Sequence, residues 1–295
     1  MRRLIAALVM IMCLIPVFSA QGAEKTDMEH YLLIGVDEWG ANEEGSARSD
    51  AIILASLDYG RDRMTFTSFA RDSIVTPSYR KGAVKLNAVV RSEEGEQALV
   101  DYLQETYGLP ISGYFVINFS GAVDVIDVIG GIEVELSAAE KNYLRQRAGD
   151  YDGYKLTEGL CRINGAQALY YMRCRLLDND FGRQGRQGKV LRAVLKELGD
   201  ITPMRALTLL DDVLGLYRTD LSIAAQLELA MKAITLRDAQ VRTYSIPAEG
   251  TYRYSSDSHG ASGLEFNLEQ NQTLLYEQLG IPAPKIEEKQ APHAS

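Results

Sequence analysis

The chain has 295 residues, 46% of them hydrophobic and 24% charged, enough for one large domain with a sizeable core. Its formal net charge is −9, which argues against nucleic acid as a partner, because phosphate backbones select net-basic surfaces. Residues 1–23, MRRLIAALVMIMCLIPVFSAQGA, set two arginines before an apolar run and then small residues, the layout of an export signal. The apolar stretch from Leu4 to about Ala20 approaches the ~17-residue lower limit for a spanning helix, so an uncleaved anchor and a cleaved signal both stay open. Pro16 and the short polar flank favour cleavage, and Met12 is too large for a lipobox before Cys13.

YLLIGVD, residues 31–37, is a short branched run ending in Gly35 and Asp37, which predicts a buried strand with a carboxylate at its C-terminal end. A polar loop follows and closes on Arg48 and Asp50, just before the strand candidate AIILASL. DYGRD supplies a turn and RMTFTSFARD alternates polar and apolar residues, so residues 51–70 read as a hairpin ending on Arg71. Strand ends thus present Asp37, Asp50 and Arg71, with Arg48 the one obvious counter-charge for the carboxylates. Two such aspartates suit a hard cation such as Mg²⁺, which takes its other ligands from water and substrate phosphate. Either aspartate alone is better explained by turn and cap chemistry. Lys85 and Asn87, in VKLNAVV, add one more cation suited to phosphate.

EGEQALVDYLQETYG has the spacing of an amphipathic helix stopped by Gly108 and Pro110, YFVINF that of a strand, GAVDVIDVIGG that of a helix closed by two glycines, and IEVEL that of a strand. INGAQALYY is again helical. Then Tyr171 to Gln187, YMRCRLLDNDFGRQGRQ, packs four arginines and two aspartates into 17 positions. Arg173 and Arg175 are two apart and would project from one face of an extended segment; Arg183, Arg186 and Gln187 fall at i, i+3 and i+4 of a helix. Asp180 is placed to cap that helix, which leaves Arg183 in its first turn, where backbone N–H groups also favour an anion. Several converging guanidiniums fit a polyphosphate better than a single carboxylate. By residue type alone, a solvated charged face is an equally good reading.

MRALTLLDDVLGLY, SIAAQLELAMKAITL and NLEQNQTLLYEQL fit helical spacing, with VRTYSIP a strand between the last two. These apolar faces either form core or line a channel between sheet and helices. Cys161 and Cys174 are separated by a helix that would hold them roughly 14 Å apart, so two buried thiols are expected rather than a disulfide. His30, His259 and His293 have no metal-ligand spacing, and residues 285–295 read as a flexible tail.

In this order, LLIGVD, ARSDAI, SFARDS, KLNAV, YFVINFSGAVDVIDVIGGIEVEL, INGAQALYYMRCR and DFGRQGRQ resemble the LytR-CpsA-Psr phosphotransferases of bacterial cell envelopes, over most of the chain after residue 30. Ala70 stands where that family usually has Pro, Ala47 where it has Gly, and Trp39 where many members carry Arg. The resemblance implies an α/β fold with a single catalytic domain over residues 24–284, a mixed central sheet flanked by helices. It implies transfer of a phosphorylated glycopolymer, such as a teichoic acid or capsular polysaccharide, from a polyprenyl pyrophosphate carrier to peptidoglycan outside the cytoplasmic membrane. Asp37 and Asp50 match the family's aspartates for Mg²⁺ or Mn²⁺. Arg48, Arg71, Lys85, Arg173, Arg175, Arg183 and Gln187 match its pyrophosphate-holding positions, and Asp180 matches a carboxylate implicated in catalysis beside Arg183 and Asp50. A non-catalytic envelope protein that binds such lipids would need the arginines but not the aspartate pair. A transcriptional regulator would fit neither the export signal nor the acidity.

Overall fold

The computed structural model describes residues 27–36, 49–79, 82–174, 176–177, 180–199, 212–213, 215–236, 238–256 and 262–283. In chain order the strands are β1 (Met28–Val36), β2 (Ser49–Asp58), β3 (Arg63–Phe69), β4 (Ile74–Val75), β5 (Val84–Lys85), β6 (Ile111–Asn118), β7 (Ile132–Leu136), β8 (Gly159–Ile163), β9 (Tyr217–Thr219), β10 (Gln240–Ile246), β11 (Tyr252–Ser256) and β12 (Ser262–Phe266). The helices are a 3-10 helix (Leu86–Arg91), α1 (Glu96–Tyr107), α2 (Phe119–Val128), α3 (Ala138–Arg147), α4 (Gly165–Arg173), α5 (Asp180–Gly199), α6 (Ile223–Thr235) and α7 (Leu268–Leu279).

Six strands make one mixed sheet in the order β10-β3-β2-β1-β6-β9. β2 runs antiparallel to β1 and β3, while β6 is parallel to β1 and β10 is parallel to β3. The C-terminal ends of β1, β3, β6 and β10 therefore share one edge, the place where open α/β sheets hold ligands. Alternation sorts the side chains of β1 and β2 onto two faces. Leu32, Ile34, Val36, Ile52 and Leu54 pack with α1, the 3-10 helix and α7, through Leu99, Leu103, Val89, Leu275 and Leu279. Tyr31, Ile53, Ala55, Leu57 and Phe66 face the opposite way, toward Leu191 and Leu195 of α5 and Leu229 of α6. A third core joins the β7–β8 hairpin to α2, α3, α4 and α5, around Ile132, Leu136, Leu144, Ile163, Tyr171 and Val190.

Local signals set the helix ends near the shared edge. Asn118 ends β6 and caps α2 by accepting from the Gly121 N–H at 2.7 Å. Asn164 and Gln167 form a capping box on α4, as Ser137 and Glu140 do on α3. Gly165 lets α4 cross α2 at close range, since a Cβ there would strike the Val123 carbonyl, and its N–H donates to Asp127 Oδ1 at 2.7 Å. Cys161 and Cys174 are buried free thiols, in line with the sequence expectation. The expected helix at MRALTLLDDVLGLY falls mostly outside the described residues, as do residues 1–23 and 285–295. Among the described residues, no helix is long and apolar enough to cross a membrane.

Candidate active site

A cavity of about 1160 Å³ opens at the shared strand edge and runs between the sheet and helices α2 and α5. Its floor is built by strand register. Gly35 of β1 lies between Ala51 of β2 and Ile117 of β6, and the next row inward sets Leu33 beside Ile53. Gly35 and Ala51 keep the entrance open with little side chain, and the pair is close: a Cβ on Gly35 would stand 3.0 Å from the Ala51 Cβ. Val125 and Ile126 of α2, Met172 of α4, and Val190, Leu191 and Val194 of α5 form the opposite wall. From Arg183 to Val194 the wall follows α5 for roughly 16 Å at 1.5 Å per residue. Tyr31 and Phe115, with ring centroids 6.4 Å apart, pack beyond the inner end.

The mouth is charged. Arg71, Lys85, Arg91, Arg173 and Arg183 line it together with the carboxylates of Asp50 and Asp72 and the amides of Asn87 and Gln187. Among the described residues, five cations against two anions line this end, in a chain of net charge −9. Arg71 Nη1 donates to Asp50 Oδ1, and Arg71 Nε lies 3.5 Å from Asp72 Oδ2. Lys85 Nζ donates to Asp72 Oδ1 at 2.9 Å. Burial works against the charge of Asp72, but the Lys85 hydrogen bond and the positive charges of Arg71, Lys85 and Arg183 outweigh it, and its carboxyl is held below the usual carboxylate range. Asp72 is therefore a fixed anion that orients two cations, and a poor proton acceptor. Arg173, the last residue of α4, stacks on Phe119, the first residue of α2, with Cζ 4.3 Å from the ring centroid.

Of the residues singled out in the sequence, Asp50, Arg71, Lys85, Arg173, Arg183 and Gln187 converge on this one cavity. Asp37, Arg48 and Arg175 lie outside the described residues, and Asp180 opens α5 with its side chain likewise outside them. Two expectations need correction. Arg173 ends a helix rather than an extended segment, because the capping box at Asn164 carries helical geometry through to it. Arg186 does not share a face with Arg183 and Gln187: successive helical residues are about 100° apart, so when Gln187 turns to the cavity Arg186 turns into the protein, where its Nη2 donates to the Cys174 carbonyl at 2.6 Å. Asp50 pairs with Arg71, brought over by the hairpin, while Arg48, the counter-charge expected from sequence, lies outside the described residues.

Asp72, Arg91 and Phe119 also line the cavity, with little signal of their own in the sequence. Asp72 is visible only as the neighbour of Arg71. Ala88 and Arg91 are i, i+3 and share a face in the 3-10 helix that carries them, a periodicity the apolar pattern of VKLNAVV does not announce. Asp50 is a donor of the kind that suits a hard divalent cation. Asp50 is on the cavity wall, and Val36, which precedes Asp37, pairs across the ladder with Ser49, which precedes Asp50. Mg²⁺ needs only one or two carboxylates when phosphate and water complete its shell, so the absence of a larger acidic cluster among the described residues does not oppose it.

Residues 15–276 match the LytR_cpsA_psr family model. The polyisoprenyl-teichoic acid–peptidoglycan teichoic acid transferase TagU of Oceanobacillus iheyensis is 30% identical over 199 residues, a match that covers 65% of this chain and 58% of the relative. The chain thus spans somewhat more than half the length of that relative. The crystal structure of B. subtilis TagV superposes with a TM-score of 0.68 at 25% identity, covering 88% of this chain and 99% of that one. A structure of TagT bound to LIIa-WTA superposes with a TM-score of 0.69 at 22% identity, covering 90% and 96% respectively, which shows a shared fold.

Proposed function

Because the chain belongs to the LytR-CpsA-Psr family, we propose that it transfers a phosphorylated glycopolymer from a polyprenyl pyrophosphate carrier to peptidoglycan at the outer face of the cytoplasmic membrane. One observation carries this reading: a single cavity joins a mouth lined by Arg71, Lys85, Arg173, Arg183 and Gln187 to an apolar passage lined by Leu33, Ile117, Val125 and Leu191. That is the shape of a pyrophosphate head on a hydrocarbon tail. The name of TagU and the ligand of the TagT structure, each stated for those proteins, agree with it.

In this reading the prenyl chain enters between the sheet and α5 and sets the pyrophosphate at the mouth. Guanidiniums grip its oxygens through paired N–H bonds, and Asp72 keeps Arg71 and Lys85 aimed there. A peptidoglycan hydroxyl attacks the phosphorus that carries the glycopolymer. As the new P–O bond forms, the bridging P–O bond breaks and its electron pair leaves with polyprenyl phosphate. Asp180 takes the hydroxyl proton, following the family motif. Charge grows on the phosphoryl and leaving oxygens, where the fixed arginines stabilise it without reorganising. Mg²⁺ or Mn²⁺ held by Asp37 and Asp50 would supply further charge neutralisation at those oxygens when bound.

The test is single-turnover transfer from purified polyprenyl-linked donors to peptidoglycan, with lipid affinity measured on the same preparation. Asp180→Asn is expected to keep or improve binding and lose most transfer. Full transfer by that variant would remove Asp180 from the mechanism. Lipid binding without transfer by the unmodified protein, across several glycopolymer donors, would favour a binding protein over an enzyme.

A further inference from the structure

We propose that Arg186 is a positioning residue of the arginine site: it sets where the end of α4, and with it Arg173, stands relative to Arg183 and Gln187. This rests on the pyrophosphate reading of the cavity and adds a part to it. Arg186 is 3% exposed and is not among the cavity-lining residues. Its Nη2 donates to the carbonyl of Cys174 at 2.6 Å, and Cys174 is itself fully buried. Cys174 is the C-cap of α4, with φ −61° and ψ 123°, the point at which the chain leaves the helix. Carbonyls at a helix end have no partner within the helix, and a buried one is costly to leave unmet. A guanidinium answers that need and also suits the negative end of the helix dipole.

The tie links two pieces that must agree in position. On one side of it is Arg173, directly before Cys174, stacked on Phe119. On the other are Arg183 and Gln187, on the helix that carries Arg186. Arg175 follows Cys174 directly in sequence, so the two arginines of YMRCR flank the tethered carbonyl. One turn back, Tyr171 is fully buried and its hydroxyl donates to Glu140 Oε1 at 3.0 Å, which holds α4 against α3. The α4 end is thus fixed from two sides. The Arg186 hydrogen bond, added to the apolar packing of Ala168, Tyr171 and Met172 against Val190 and Val194, ties it to α5, the helix that supplies the other half of the anion grip.

The experiment is a double-mutant cycle on the full chain, with farnesyl pyrophosphate as the probe and calorimetric affinity, together with the KM and kcat of transfer, as readouts. Arg173→Ala, Arg186→Met and their combination are compared with the unmodified protein. A shift of about 1 Å in a positioned group can cost on the order of a hundredfold, so Arg186→Met is expected to lose transfer on that scale and to bind the probe more weakly. The two losses should be strongly non-additive, the double variant scarcely worse than the poorer single one, because Arg186 acts through Arg173 and its neighbours. Arg186→Lys, which keeps one donor for the carbonyl, should fall between the unmodified protein and Arg186→Met; if Arg186→Met does not fold, the cycle is run with Arg186→Lys. Fold-losses that multiply would make Arg186 an independent ligand contact and overturn the proposal, as would unchanged affinity and transfer in Arg186→Met or Arg186→Lys. Failure of the unmodified protein to bind farnesyl pyrophosphate would overturn the pyrophosphate reading itself, and this proposal with it.

Discussion

At the scale of single residues, the mouth of the cavity depends on guanidinium geometry as much as on charge. Replacing Arg173 by alanine removes a bidentate, charge-assisted contact to phosphate and should cost about 1.5 to 3 kcal/mol of lipid affinity. Arg173→Lys should rescue little of it, because an ammonium keeps the charge but neither the fork nor the stacking on Phe119. Equal affinity for Arg173→Lys and the unmodified protein would show that charge alone suffices. Asp50→Ala should keep the fold, since Asp50 is only partly buried, and should lose metal-dependent turnover. Normal transfer by that variant would dismiss the metal pair. These residues were legible in the sequence because each sits at the end of a recognisable element. Asp72 and Arg91 were not: the first is hidden beside the more conspicuous Arg71, and the second is placed by a 3-10 turn that apolar periodicity does not reveal.

At the scale of elements, β1 and β2 position the floor of the cavity, and their pairing contains a buried titratable contact. His30 lies opposite Ser56 in the ladder, and its Nδ1 is 2.8 Å from the Ser56 hydroxyl. Burial pushes its pKa down to about 4. Below its unfolded value of about 6.5, the unfolded chain binds a proton that the folded chain refuses, so stability falls with pH from there until the folded imidazole also charges near 4. The loss should approach ~3 kcal/mol, and His30→Asn should flatten that part of a denaturant-measured stability profile. A profile with the same slope in the variant would show that His30 does not titrate this way. The hairpin, the β6–α2 switch and the helices α1, α6 and α7 follow from alternation, glycine stops and caps on contiguous segments. The β7–β8 pairing and the turning of Arg186 away from Gln187 were not legible, because both are settled by packing between segments distant in sequence. Channel and core, too, look the same in an apolar helix face; only the small Gly35–Ala51 pair, seen in register, makes the difference plain.

At the scale of the whole molecule, an acidic chain gathers several cations at one mouth, which leads directly into an apolar passage. This arrangement should draw anionic lipid heads by long-range attraction, so the association rate should fall steeply as ionic strength rises while dissociation changes less. The proposed export through the N-terminal segment predicts that protease added to spheroplasts digests residues 30–282; protection would contradict the peptidoglycan acceptor. The most direct measurement is a crystal structure of the protein with a polyprenyl pyrophosphate. The account predicts the pyrophosphate against Arg71, Arg173 and Arg183, with the first part of the chain running between Ile117, Val125 and Leu191. A head group bound elsewhere, or a tail lying outside a passage that stays filled by its own side chains, would contradict it.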